Sequence, residues 1–144
     1  MALEGLGDDD LWVRPHPRLW SVGELAGHVT YGKVRHLTAG IPEDAPDRII
    51  SPLLDPRFRY YSDEVDEPTI IPFQVTEVLA EMTLIHARVR ALIIELDPNA
   101  SDIVSPASQW TWGYTLEYMA FHLAYHAGQV YSVRHLLGHT THDN

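Results

Sequence analysis

The stretch TLEYMAFHLAYHAGQVYSVRHLLG, residues 115–138, decides the fold class of this chain. Thr115 predicts the N-cap of a long helix, because its hydroxyl can accept a bond from an unpaired backbone N–H. Gly138 predicts the helix end as a left-handed residue. His122 and His126 are four residues apart, so their side chains lie on one face, one turn from each other. Apolar residues beside that face indicate that it packs inside a helix bundle: Leu116, Met119, Leu123, Val130 and Leu137.

The two histidines form a candidate metal platform. Neutral imidazole is the commonest protein ligand of zinc-like ions, and this spacing presents two of them together. The same pair also suits an ordinary helix interface, because HxxxH occurs by chance and two ligands do not make a site. A third ligand is therefore needed. Gln129 follows on the same face and is interpreted either as an orienting or substrate-contacting group or as a plain interface amide.

Composition excludes several classes of protein. The 144 residues suit one domain spanning 1–144. Twenty acidic residues against ten basic ones give a net charge of −10, which argues against nucleic acid or an anionic membrane as the partner. No run approaches the roughly 18 apolar residues of a membrane span. The absence of cysteine excludes disulfides and thiolate metal sites, and it is compatible with the cytoplasmic location that we expect.

A second helix begins in WSVGELAGHV, residues 20–29. Ser21 as N-cap and Glu24 three residues later form a capping box, in which each side chain satisfies a backbone donor of the other residue. The predicted helix runs over Ser21–Thr38. His28 lies beside its apolar stripe, one turn beyond Glu24.

A third helix is predicted over Phe73–Leu96, where apolar residues keep a heptad-like stripe. His86 falls on that stripe and is interpreted as a core histidine, with a hydrogen-bond partner of a metal ligand as the lesser alternative. Before this helix, residues 41–72 contain six prolines and predict a long irregular connection. Such a connection forms either a wall of a binding site or a mobile surface loop.

Several blocks of the sequence together resemble the DinB/YfiT-like superfamily of bacterial four-helix bundles: LEGLGDDDLWVRPHP at 3–17, WSVGELAGHV at 20–29, HLAYHAGQV at 122–130 and RHLLG at 134–138. The resemblance covers nearly the whole chain and implies an all-α, DinB-like up-down helix bundle. It also implies a metal site of His28, His122 and His126 with positions open to water or substrate. That site agrees with the helical pair that needs a third ligand. We expect zinc or nickel, which imidazole ligands suit.

The chain departs from the family pattern in two places. Only a handful of residues precede the LEGLG segment, so the family's first long helix is missing and long irregular connections join the remaining three. Because three striped helices leave one face of a four-helix core uncovered, we expect a homodimer. Ala127 stands where many relatives carry a basic residue, which removes a side chain that often contacts a substrate carboxylate or a thiol adduct.

Two reactions suit a three-histidine site with an open position, because the metal lowers the pKa of a bound water or thiol. One is hydrolysis with Glu24 as general base. The other, implied by the resemblance and slightly favoured, transfers a low-molecular-weight thiol (bacillithiol or mycothiol) to an electrophilic small molecule. The candidate catalytic residues are Glu24 and Gln129. The alternative is a non-catalytic, dimeric stress-associated binding protein with a structural metal or none, which a fourth ligand such as His86 or Glu24 would indicate.

Overall fold

The computed structural model describes residues 2–38, 48–59, 67–95, 102 and 109–141. Within these ranges the fold is all-α, as predicted, with three long helices, one short helix and two single 3₁₀ turns. No helix of the described ranges is long and apolar enough to cross a membrane. The elements are α1 (Asp8–Leu11), α2 (Val22–Leu37), the 3₁₀ turns Pro52–Leu54 and Pro56–Phe58, α3 (Val75–Ile94) and α4 (Trp112–Leu136).

Helix α2 is the centre of the fold, because both α3 and α4 pack against it. Its predicted capping box is confirmed. The Ser21 hydroxyl accepts the backbone N–H of Glu24 at 3.2 Å, and the Glu24 carboxylate accepts the backbone N–H of Ser21 at 2.9 Å. This reciprocal pairing sets the start of the helix and hence the position of His28 along it.

The start of α3 lies at Val75, two residues after the predicted Phe73. The carboxylate of Asp8, in α1, accepts the backbone N–H of Val75 at 2.8 Å, so a side chain 67 residues away in the sequence caps this helix. The prediction that His86 is a core histidine was wrong, because its side chain is exposed. Only a narrow stripe of α3 is buried: Val75, Val78, Ile85 and Val89.

The start of α4 also differs from the prediction. The N-cap is Thr111, whose hydroxyl accepts the backbone N–H of Tyr114 at 3.2 Å. Thr115, the predicted N-cap, lies one turn inside the helix, where its hydroxyl donates to the Thr111 carbonyl at 2.9 Å. The earlier start buries Trp112 in the core. At the other end, Gly138 has the predicted left-handed conformation with φ of +90°.

The described part of the 41–72 connection is more regular than predicted. Its two 3₁₀ turns bury Leu53 and Phe58 in the core. Phe58 lies directly against α2 at Gly27, where an added Cβ would stand 2.7 Å from ring atoms. Since real Cβ contacts are never this short, glycine at position 27 is what lets the turn close on the helix.

Hydrogen bonds join the N-terminal turn to the C-terminal end of α4. Arg134 donates to the Ala2 carbonyl at 2.6 Å and to the Glu4 carbonyl at 2.8 Å. Together with the one-turn α1, this segment covers part of the core beside the three long helices. Its apolar side chains share a buried cluster with those of α4: Leu3, Leu6, Val130 and Val133.

Candidate metal centre

The structure brings His28 of α2 together with His122 and His126 of α4, the three residues named from the sequence. The Nε2 atoms of His28 and His122 are 3.2 Å apart, and those of His122 and His126 are 3.1 Å apart. The three rings meet where α2 and α4 cross, half-buried or buried between them. This group of three is therefore able to hold a metal ion.

Oxygen acceptors orient two of the three rings. His28 Nδ1 lies 2.8 Å from the Phe58 carbonyl, and His126 Nδ1 lies 2.6 Å from the amide oxygen of Gln129. Because neither oxygen has a proton to give, each Nδ1 carries the hydrogen and each Nε2 presents a lone pair. Such outer partners fix the tautomer and the direction of metal-binding histidines.

Because of His122, hydrogen bonds alone do not pair all the ring nitrogens of the cluster. The Nε2 of His122 faces the lone pairs of both His28 and His126, and an N–H there points to only one of them. Its Nδ1 is buried with no hydrogen-bond partner in the described part of the chain. A cation at the centre would satisfy all three Nε2 lone pairs. Nitrogens that share a tetrahedral zinc ion lie roughly 3.3 Å apart, close to the separations observed.

All three histidines favour the neutral form. Burial, followed by the positive charges of the His126 and His28 imidazoliums, lowers the pKa of His122 to about 4. Burial also lowers the pKa of His28 and of His126 below the ordinary histidine value. The rings are thus uncharged near neutral pH, which is the form that binds metals.

Gly32 gives the cluster its compactness. An added Cβ at this position would stand 3.2 Å from Cε1 of His122, tighter than most real contacts. Gly32 therefore admits the His122 side chain, as Gly27 admits the ring of Phe58.

Glu24 lies at the start of α2 with its carboxylate fully engaged. Both oxygens bind Arg14, at 2.8 and 2.5 Å, and they also accept the backbone N–H groups of Ser21 and Thr69 at 2.9 Å each. Burial raises the pKa of this carboxyl, but these hydrogen bonds outweigh it and leave the pKa below its ordinary value. The general-base role suggested for Glu24 has no support in these contacts, which join three segments of the chain.

Gln129 lies on the edge of the cluster, where its amide links two side chains. The oxygen contacts His126, and the amide nitrogen donates to the Tyr125 hydroxyl at 3.3 Å. Two groups near the histidines were missed from the sequence, namely the Phe58 carbonyl and Tyr125. A backbone carbonyl has no sequence signal of its own. Tyr125 was detectable by its position one turn before Gln129.

A cavity of about 360 Å³ opens beside His126. It lies between the segment around Trp20 and the second half of α4. Among the described residues, His28, His122 and His126 form the sole group of potential ligands, and His86 is exposed on α3. A site with three protein ligands and an adjoining cavity has room for a further ligand.

Comparison with known proteins identifies the family. The sequence model of the DinB superfamily matches residues 1–130, which include α2 and all three histidines. No curated protein and no solved structure matches the chain at a significant level. The match covers most of the 144 residues, and it agrees with the all-α fold and with the three-histidine group. The chain therefore belongs to the DinB superfamily.

Proposed function

We propose that this protein is a metal-dependent enzyme that transfers a low-molecular-weight thiol to an electrophilic small molecule. The observation that carries the proposal is the convergence of three Nε2 atoms, two of them held as lone-pair donors by the Phe58 carbonyl and the Gln129 amide. A divalent ion bound there, zinc or nickel by ligand type, would lower the pKa of a coordinated thiol or water.

Thiol transfer fits the surroundings better than hydrolysis does. Hydrolysis of an unactivated substrate is promoted by a general base beside the metal that takes a proton from the attacking water. Glu24 was the candidate, and its carboxylate is held by Arg14 and two backbone N–H groups with a lowered pKa. A thiol needs less help, because its free pKa is about 8.5 and a nearby cation lowers it further.

The chain's own residues supply orientation rather than acid–base chemistry. Phe58 and Gln129 hold two ligand rings in one tautomer, and Gly32 lets the third ring reach them. The second candidate, a non-catalytic protein with a structural metal, is less well supported. Structural zinc usually has four protein ligands, and the described residues offer three.

We also propose that the protein is a homodimer. In its first half, α4 exposes two large apolar side chains on one face, which a second copy would cover: Tyr114 and Phe121. Light scattering on the purified protein tests this. A well-folded particle with the mass of a single chain at all concentrations would contradict it.

The metal proposal is tested by elemental mass spectrometry on untagged protein after purification and after reconstitution with zinc or nickel. We expect close to one ion per chain in the wild type and little in His126→Ala. His86→Ala is the matched control, since it removes an exposed histidine from another helix. Circular dichroism shows whether each variant is folded. Wild-type protein without metal after reconstitution would refute the proposal.

A further inference from the structure

The cavity beside His126 is lined mainly by apolar groups from two sides. Leu19, Trp20 and Leu25 come from the approach to α2 and its first turns, and Val133 and Leu136 come from the end of α4. None of the described residues that line it is Asp, Glu, Lys or Arg. Its volume of about 360 Å³ lies in the lower part of the range for small-molecule pockets, about 300–1,000 Å³.

The polar side of the cavity is a chain of hydrogen bonds with a defined direction. His126 Nδ1 donates to the Gln129 oxygen at 2.6 Å, and this bond places the amide NH₂ on the opposite side. That NH₂ donates to the Tyr125 oxygen at 3.3 Å. Because the tyrosine oxygen already accepts a hydrogen bond, its own O–H is left to donate.

We propose that this cavity binds an uncharged, largely apolar organic substrate through a hydrogen-bond acceptor such as a carbonyl oxygen, which takes the O–H of Tyr125. The walls remove the apolar part of the substrate from water, and in the metal-free protein the described lining residues offer a carboxylate no cation as a partner. Tyr125 is thus a specificity-determining residue. The identification of this substrate with the electrophile of the enzyme rests on the proposed function. The preference of the cavity for an uncharged ligand does not depend on it.

The test uses two probes of nearly the same shape, benzylacetone and hydrocinnamate, which place a methyl ketone or a carboxylate on the same phenylethyl group. Binding to the full chain is measured by isothermal titration calorimetry, with and without added zinc. In the zinc-free preparation we expect benzylacetone to bind at least about tenfold more tightly than hydrocinnamate, since an unpaired carboxylate is costly to desolvate. Equal or tighter binding of hydrocinnamate in that preparation, or no binding of benzylacetone, overturns the proposal.

Two pairs of variants test the residues. Tyr125→Phe should weaken benzylacetone binding about three- to tenfold, the effect of one neutral hydrogen bond, while Tyr114→Phe on the same helix should leave it unchanged. Leu136→Glu should reduce ketone binding at least about tenfold, whereas Leu84→Glu on α3 should not. Both leucines are exposed, at 63% and 48%, so neither change threatens folding. If Tyr125→Phe binds benzylacetone with wild-type affinity, Tyr125 is not the hydrogen-bond donor and the proposal fails.

The outcomes separate this proposal from the metal proposal. Benzylacetone binding with the expected variant pattern, in a protein that takes up no metal, would retain the cavity assignment and refute the enzyme. Stoichiometric metal, together with a preference for hydrocinnamate in the zinc-free protein, would retain the metal centre and refute the assignment of an uncharged substrate.

Discussion

Replacing Glu24 by Gln tests whether this carboxylate is structural or catalytic. The side chain is 2% exposed. One oxygen accepts from Arg14 Nη2 and the Thr69 backbone N–H, and the other accepts from Arg14 Nε and the Ser21 backbone and hydroxyl groups. Every position around the carboxylate is therefore filled by a donor. A Gln amide has the same shape, but its NH₂ must face two or more of these donors in either orientation.

The expected loss of folding free energy is large. Removing one partner of a buried ion pair costs about 3–5 kcal/mol, because the remaining charge stays buried without compensation. Arg14 is that remaining charge, since its side chain is only 11% exposed. Urea unfolding followed by tryptophan fluorescence gives the loss directly. The matched control is Glu77→Gln, at the exposed start of α3, where one backbone N–H bond is affected and about 1 kcal/mol is expected.

The metal content of the folded variant completes the test. If Glu24 acts only through the fold, Glu24→Gln binds metal in the wild-type amount below its unfolding transition, and thiol transfer persists there. A variant that loses less than about 1 kcal/mol but also loses all activity would refute the structural interpretation and restore the general base.

Three further predictions concern a glycine, the histidine charges and Lys33. Gly27→Ala forces the Phe58 ring away from α2 and should lower the free energy of unfolding in urea by about 1–3 kcal/mol. Gly128→Ala, which has open space around it, should raise that free energy by about 0.5–1 kcal/mol. Equal effects of the two substitutions would contradict the packing argument. For metal-free protein, the pKa of His122 at about 4 lies below the unfolded value near 6.5, so the unfolded chain takes up the proton first. Stability should therefore fall as the pH drops from about 6.5 towards 4, and urea midpoints that stay constant over this window would refute it. Lys33 is 9% exposed, burial lowers its pKa, and it has no ion pair in the described ranges. Lys33→Met should raise the free energy of unfolding by about 1 kcal/mol or more. A comparable decrease, measured by thermal unfolding, would contradict the conclusion that the Lys33 ammonium is unpaired.

Local signals in the sequence predicted the helices well where a side chain bonds to its own backbone neighbourhood. The Ser21–Glu24 capping box and the left-handed Gly138 are of this kind. The start of α4 was misplaced because Thr111 and Thr115 are both able to cap a helix. Burial of Trp112 in the core favours the earlier start, and this tertiary contribution is absent from any local pattern.

The assignment of His86 failed for a related reason. Its position on an apolar stripe implied burial, yet α3 packs through a narrow line of residues that includes Ile85 and Val89. A periodic pattern predicts which face of a helix is apolar, but not how much of that face a neighbour covers. In the described structure, α3 has α2 on one side and much of the rest of its surface remains in solvent.

The candidate site was predictable in part. The spacing of His122 and His126 places them on one face of a helix, but no pattern within α4 gives the distance to His28. That distance depends on how α2 and α4 cross, and it was the family resemblance that suggested the triad. The role of the Phe58 carbonyl could not be predicted, because every residue type has the same backbone acceptor.

The hydrogen bonds of Arg134 to the carbonyls of Ala2 and Glu4 join residues 132 and 130 positions apart. Contacts so distant in sequence close the longest loops and form late in folding. On the ribosome, which releases the N-terminus first, the binding place for Leu3 and Leu6 does not exist until the end of α4 has emerged. Leu3 and Leu6 are therefore synthesised long before the surface on which they dock, and the nascent chain exposes them to chaperones until α4 has emerged.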